Sequence, residues 1–87
     1  MKKLEFTPDV WDDYEYWEVQ DKKTLKKIKR LLKELQRHPE EGEGHPELLK
    51  GNLSGLWSRR INQQDRMLYE IHQKSVTLIQ LRTHYGD

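Results

Sequence analysis

The last third of the chain constrains the fold most. Residues 56–61, 66–72 and 75–85 read as three β-strands folded back on one another. Their connections fall at residues 62–65 and 73–74, neither with a diagnostic Asn-Gly turn. Side chains along a strand point alternately to the two faces of a sheet, so parity sorts them. One class collects Trp57, Ile61, Met67, Tyr69, Ile71, Ile79 and Leu81 and is expected to be buried. The other collects Ser58, Arg60, Arg66, Glu70, Gln80, Arg82 and His84. Three guanidiniums and an imidazole are thereby expected on one open sheet face. Such a face suits a phosphate-rich ligand and holds a group able to move a proton near neutral pH. Arg59 violates the pattern by falling on the apolar side, where a bulge or an edge position could rescue it.

Upstream of these strands the periodicity changes. Residues 2–6 form a short strand candidate with Leu4 and Phe6 on one side. Thr7, Pro8 and Asp9 then supply a hydroxyl cap, a proline at the first helical position and an acid in the first turn. Val10, Tyr14 and Trp17 recur at helical spacing. A second helix is expected from about Asp21 to Arg37, with Leu25, Ile28, Leu32 and Leu35 at steps of three and four as its core stripe. Pro39, Gly42, Gly44 and Pro46 mark a loop, and residues 52–55 a turn into the late strands. The order β-α-α-β-β-β predicts a single α+β domain over residues 1–87, its two N-terminal helices packed on one face of a mostly antiparallel sheet.

Composition narrows the function classes. With 33% hydrophobic and 36% charged residues in 87, the core is small, and stability leans on the three Trp and four Tyr. There is no Cys, which removes disulfides and thiolate zinc sites and fits a reducing cytoplasm. No apolar leader and no membrane-length apolar run is seen, so the expected setting is soluble and cytoplasmic. The net charge of +1 conceals a strong asymmetry. Residues 1–21 carry two Lys against seven acids, and residues 22–37 carry eight Lys or Arg against Glu34 alone. The basic helix, with Lys26, Lys29 and Lys33, can be a solvated face pairing with the acidic first helix or a track for RNA phosphates; taken alone, the former is the plainer reading. His38, His45, His72 and His84 lack metal-ligand spacing, and no Ser–His–acid pattern or glycine-rich phosphate loop is present. His84 stands out because parity sets it beside Arg60, Arg66 and Arg82. Glu47 is more ordinary, since a glutamate in a Gly/Pro-flanked loop is usually just solvated, although loops also carry general bases to cationic scaffolds.

Several blocks in order along the chain carry a resemblance. Trp11-Asp12-Asp13-Tyr14-x-Tyr16-Trp17, Pro46-Glu47-x-Leu49-Lys50, Asn52-Leu53-Ser54-Gly55-x-Trp57-Ser58-Arg59-Arg60-Ile61 and His84-Tyr85 resemble YoeB-type toxins, within the RelE/ParE superfamily of bacterial toxin–antitoxin systems. The resemblance implies a RelE-like, microbial-ribonuclease-like fold and a ribosome-dependent endoribonuclease that cleaves mRNA in the A site. It implies Glu47 as general base and His84 as general acid. Arg66 and Lys50 would neutralise the scissile phosphate with support from Arg60, and Tyr85 would position the nucleotide. Strand parity adds Arg82 to the RNA-binding face, and the charge of the second helix makes Lys26, Lys29 and Lys33 the expected ribosome contacts. The implied partners are mRNA, the ribosome and a YefM-like antitoxin, with room for a homodimer; no metal or cofactor is implied. Leu48 stands where the family often has a second proline, and Gly86-Asp87 run past the His-Tyr pair. Two rivals share the fold: a non-catalytic ParE-like toxin that binds a protein target, and a ribonuclease that needs no ribosome.

Overall fold

Two capping residues set both helices. In a computed structural model, which describes residues 1–83, the Thr7 hydroxyl accepts from the Val10 amide at the head of α1 (Pro8–Gln20). Asp21 serves twice. Its amide donates to the Trp17 carbonyl and closes α1. Its carboxylate accepts from the Thr24 amide and hydroxyl at 3.1 and 2.7 Å and opens α2 (Lys22–Arg37). A strand precedes the helices, β1 (Lys3–Phe6), and four follow: β2 (Glu47–Leu48), β3 (Trp57–Arg60), β4 (Arg66–Ile71) and β5 (Ser75–Gln80). They make one sheet in the order β1-β5-β4-β3-β2, antiparallel except for the β1–β5 pair.

Both helices pack on one face of this sheet. Leu25, Ile28, Leu31, Leu32 and Leu35 of α2 join Val10 and Trp17 of α1 over Ile61, Met67, Tyr69, Val76, Leu78 and Leu81. The expected helix stripe and the β4 parity are therefore present, with Leu31 added to the stripe. In β5 the buried residues are instead Val76 and Leu78, and Ile79 is only half-buried. The cause is a register irregularity: Leu68 faces Gln80 while Tyr69 faces Leu78, so Ile79 has no partner on β4. One extra residue reverses the alternation, and Leu81 returns to the core beyond it.

The strand expected over residues 75–85 ends early, at Gln80. Two α1 side chains hold the chain there. Trp17 Nε1 donates to the Leu81 carbonyl at 2.8 Å, and the Leu81 amide donates to Asp13 at 3.0 Å. Asp13, one of the first helix's acids, is thus buried rather than solvated. Two residues on, the Thr83 amide donates to Asp65 at 3.0 Å and the Thr83 hydroxyl accepts from the Arg66 amide at 3.1 Å. The hairpin at 62–65 forms without Asn-Gly because the Asn62 side-chain oxygen accepts from the Gln64 and Asp65 amides, an Asx turn.

Candidate nucleic-acid interface and its scaffold

Sheet register builds the candidate site. Glu47 lies opposite Ser58, Ser58 opposite Leu68 and Leu68 opposite Gln80, one row across four strands. Arg60 and Arg66 form the neighbouring row on the same face, away from the helices. The segment carrying Glu47, read from sequence as a loop, is a two-residue edge strand. Glu47 and Arg60 are diagonal neighbours across the β2–β3 pair, a spacing of roughly 7–8 Å between backbones that long side chains can bridge. Both are exposed, and neither makes a side-chain hydrogen bond or ion pair among the described residues. Ser58, although on this face, is buried.

Arg66 is held differently. Its Nη1 donates to the carbonyls of Asn62, Gln63 and Asp65 at 2.7, 3.4 and 3.1 Å, so the hairpin fixes the guanidinium from one side. Gln80 adds a bond to the Arg66 carbonyl at 3.1 Å. The anchoring uses Nη1 alone and leaves the guanidinium's other edge for a ligand. Arg60 and Arg66 line a groove of about 450 Å³ with Lys27, Gly44, His45, Asn62 and Gln63.

Other expected members lie elsewhere. Arg82 does not line this groove; its guanidinium lies 3.9 Å from the centre of the Tyr16 ring on α1. The strand has ended two residues earlier, so alternation no longer dictates its direction. The expected trio of arginines is a pair. Lys50 is exposed at the head of the 3-10 turn Gly51–Leu53. Lys26 and Lys29 border one groove, beside Glu18 and Leu25, and Lys33 another, beside Met1 and Arg37. The helix cation that meets the arginine groove is Lys27. The ion pairs of α2 among the described residues run to Glu43 and Arg59, not to the acidic first helix. His84 and Tyr85 lie outside the described residues.

Arg59 also departs from the sequence expectation. No bulge or edge position rescues it: it keeps the core parity and is 0% exposed. Nε donates to the Tyr69 hydroxyl at 3.2 Å, and Nη1 to Glu34 at 2.7 Å and to the Glu43 carbonyl at 3.0 Å. Nη2 donates to the carbonyls of His38 and Glu41. A buried guanidinium is tolerable only when its donors are satisfied, and here they are. Tyr69 passes the contact on, donating to the Pro39 carbonyl at 2.6 Å. Glu34 accepts from the Glu43 amide at 2.7 Å, and Arg30 closes on the Glu43 carboxylate at 2.9 and 2.7 Å. One buried side chain thus clips residues 38–43 to α2 and β4, just ahead of the segment bearing His45 and Glu47.

The electrostatics follow. The Arg59 hydrogen bond holds the Glu34 carboxyl below its ordinary range, and Arg30 does the same for Glu43. Burial pushes the Tyr69 hydroxyl up.

Comparison with known proteins adds an independent line. Residues 6–85 match the family model described as YoeB-like toxin of bacterial type II toxin–antitoxin system. The chain is 45% identical to Toxin YoeB of Mycobacterium bovis over 85 residues, 98% of this chain and 100% of that one. It is 47% identical to Toxin YoeB of Escherichia coli K12 over 83 residues, 95% of this chain and 99% of that one. Among solved structures, a heterotetrameric YoeB–YefM toxin–antitoxin complex from Staphylococcus aureus superposes with a TM-score of 0.88 at 40% identity, covering 98% of this chain and 99% of the other. A YoeB dimer from the same organism gives 0.86 at 40% identity, covering 97% and 98%.

Proposed function

The chain belongs to the YoeB-like toxins of bacterial type II toxin–antitoxin systems, and from that premise we propose that it is a ribosome-dependent endoribonuclease that cleaves mRNA in the A site. The observation that carries this reading is a carboxylate, Glu47, on the same open sheet face as Arg60 and Arg66, with no side-chain partner of its own among the described residues. A general base needs an accessible carboxylate, and a phosphorane needs fixed cations beside it.

In the proposed reaction Glu47 takes the proton from a ribose 2′-hydroxyl. The freed oxygen attacks the adjacent phosphorus, the bond to the 5′-oxygen breaks, and His84 gives that oxygen its proton. Arg66 and Lys50 offset the extra negative charge on the phosphorane, Arg60 supports them, and Tyr85 orients the nucleotide. The arginine face is also where a YefM-like antitoxin would lay an acidic, apolar segment, silencing the toxin by covering these cations. The relatives' complexes and dimer support an antitoxin partner and a homodimer for this chain as well.

Incubating the purified protein with naked mRNA and with translating ribosomes tests the reading. Cleavage on ribosomes alone is the expected result. Equal cleavage of naked mRNA would leave a free ribonuclease, and none in either sample would leave the protein-binding rival.

A further inference from the structure

The groove beside the arginine pair has two further basic side chains in its lining. Arg60 and Arg66 line one side, and Lys27 of α2 and His45 complete it. No acidic side chain lines it. His45 has a φ of 52°, the left-handed region that non-glycine residues rarely adopt. Strain of this kind costs of order 1–3 kcal/mol and persists only where surrounding contacts impose it.

The contact that imposes it is visible. The Arg60 amide donates to the Gly44 carbonyl at 2.7 Å, fastening the loop to β3. A Cβ on Gly44 would stand 2.9 Å from the Arg60 carbonyl oxygen, and Gly44 itself has a φ of 89°. Only glycine allows so close an approach, and the next residue, His45, lines the same groove as Arg60. An imidazole keeps at least one N–H donor in either charge state. Lys27 brings a fixed charge from the helix side.

We infer that Lys27 and His45 form a second phosphate subsite, which binds the phosphodiester next to the one being cleaved and so sets the register of the mRNA on the toxin. This rests on the nuclease reading. A lysine and an imidazole N–H donor beside the arginine pair can hold the next phosphate of a single strand, and a strand held at two phosphates is oriented where one held at a single phosphate can swing. Ribosomal RNA offers the same phosphodiester chemistry, so the test must separate the two sources.

Ribosomes are programmed with mRNA that carries a 2′-O-methyl group at the cleavage position, so that binding is read without chemistry. In two further messages a neutral methylphosphonate replaces the linkage on either side of the cleaved one. The variants are Lys27→Gln and His45→Asn; asparagine tolerates the left-handed conformation well, so the backbone is not newly strained. The expected result is that one of the two neutralised linkages weakens wild-type binding by roughly three- to tenfold. The same neutralisation should cost the double variant less than about twofold, since the charge that linkage met is already gone. His45→Lys should restore the sensitivity. Full sensitivity in the double variant overturns the inference. So does a loss of affinity by the variants that is equal on all three messages, because that result assigns the groove to ribosomal RNA. A wild-type protein that binds these ribosomes but cuts no unmodified message would instead defeat the nuclease reading, leaving the binding cycle to decide the subsite on its own.

Discussion

Replacing Arg59 by methionine tests whether the buried guanidinium holds residues 38–43 in place. Methionine fills much of the same apolar volume, so the substitution removes hydrogen bonds and charge while creating little cavity. It withdraws donors from the Glu34 carboxylate, the Tyr69 hydroxyl and the carbonyls of His38, Glu41 and Glu43. Breaking a buried ion pair by deleting one partner costs about 3–5 kcal/mol. The lower end applies, because the Glu34 side chain is 28% exposed and can recover water once its partner is gone. At about 4–8 °C per kcal/mol for a domain of this size, a loss of roughly 3 kcal/mol lowers Tm by about 12–24 °C. Thermal and urea unfolding followed by circular dichroism give the number, and amide exchange over residues 38–44 gives its location. Buried ion pairs can be replaced by apolar groups at no cost when nothing else depends on them. A Tm within a few degrees of wild type, with exchange in the loop unchanged, would show that this is such a case and would refute the clip.

Two further outcomes follow from the same geometry. Because Arg59 depresses the Glu34 pKa in the folded state, the stabilisation it brings is complete above the unfolded glutamate pKa and is lost as pH falls through the lower folded value. The stability gap between wild type and Glu34→Gln, measured by urea midpoints, should therefore close as pH drops below about 4; a gap that persists there would contradict it. In single-turnover cleavage on ribosomes, Glu47→Gln should lose the acidic limb of the rate profile and His84→Gln the alkaline limb, while Arg66→Ala lowers the rate by roughly 10²–10³ at every pH; equal losses with unchanged profiles in the first two variants would point away from acid–base catalysis.

Much of this architecture was legible because it is local. The cap at Thr7, the stripe Leu25, Ile28, Leu32 and Leu35, and the alternation through Met67 and Tyr69 each depend on neighbours within a few residues. The misses depend on distant ones. The carboxylate that makes a buried Arg59 tolerable, Glu34, lies 25 residues away, and no pattern around Arg59 announces it. Parity assigns its side of the sheet correctly; hydrogen bonds, not a bulge or an edge position, make a guanidinium tolerable there. The burial of Asp13 is likewise set at a distance, by a backbone amide 68 residues on. Ile79 was misassigned because a single unpaired residue reverses the alternation, and such an insertion becomes visible only when two strands are aligned. The site was legible where register carries it, at Arg60 and Arg66, and illegible where the strand stops, at Arg82.

The adjacency of Arg59 and Arg60 shows how so small a core can support a charged surface. Two consecutive arginines on a strand must point to opposite faces. One is driven under the sheet, where it fastens the loop that leads to His45 and Glu47. The other is left on the open face, where its own amide holds the end of that loop through Gly44. Arg66 receives similar support from the three hairpin carbonyls on its Nη1. The Arg66 guanidinium and the backbone that carries Arg60 are consequently fixed before any ligand arrives. A flexible cluster of the same charge would have to spend part of its attraction on ordering side chains, whereas prearranged charges act on a developing phosphorane without reorganising. Backbone carbonyls and a buried guanidinium supply this rigidity, which a chain with few apolar residues could not obtain from packing alone.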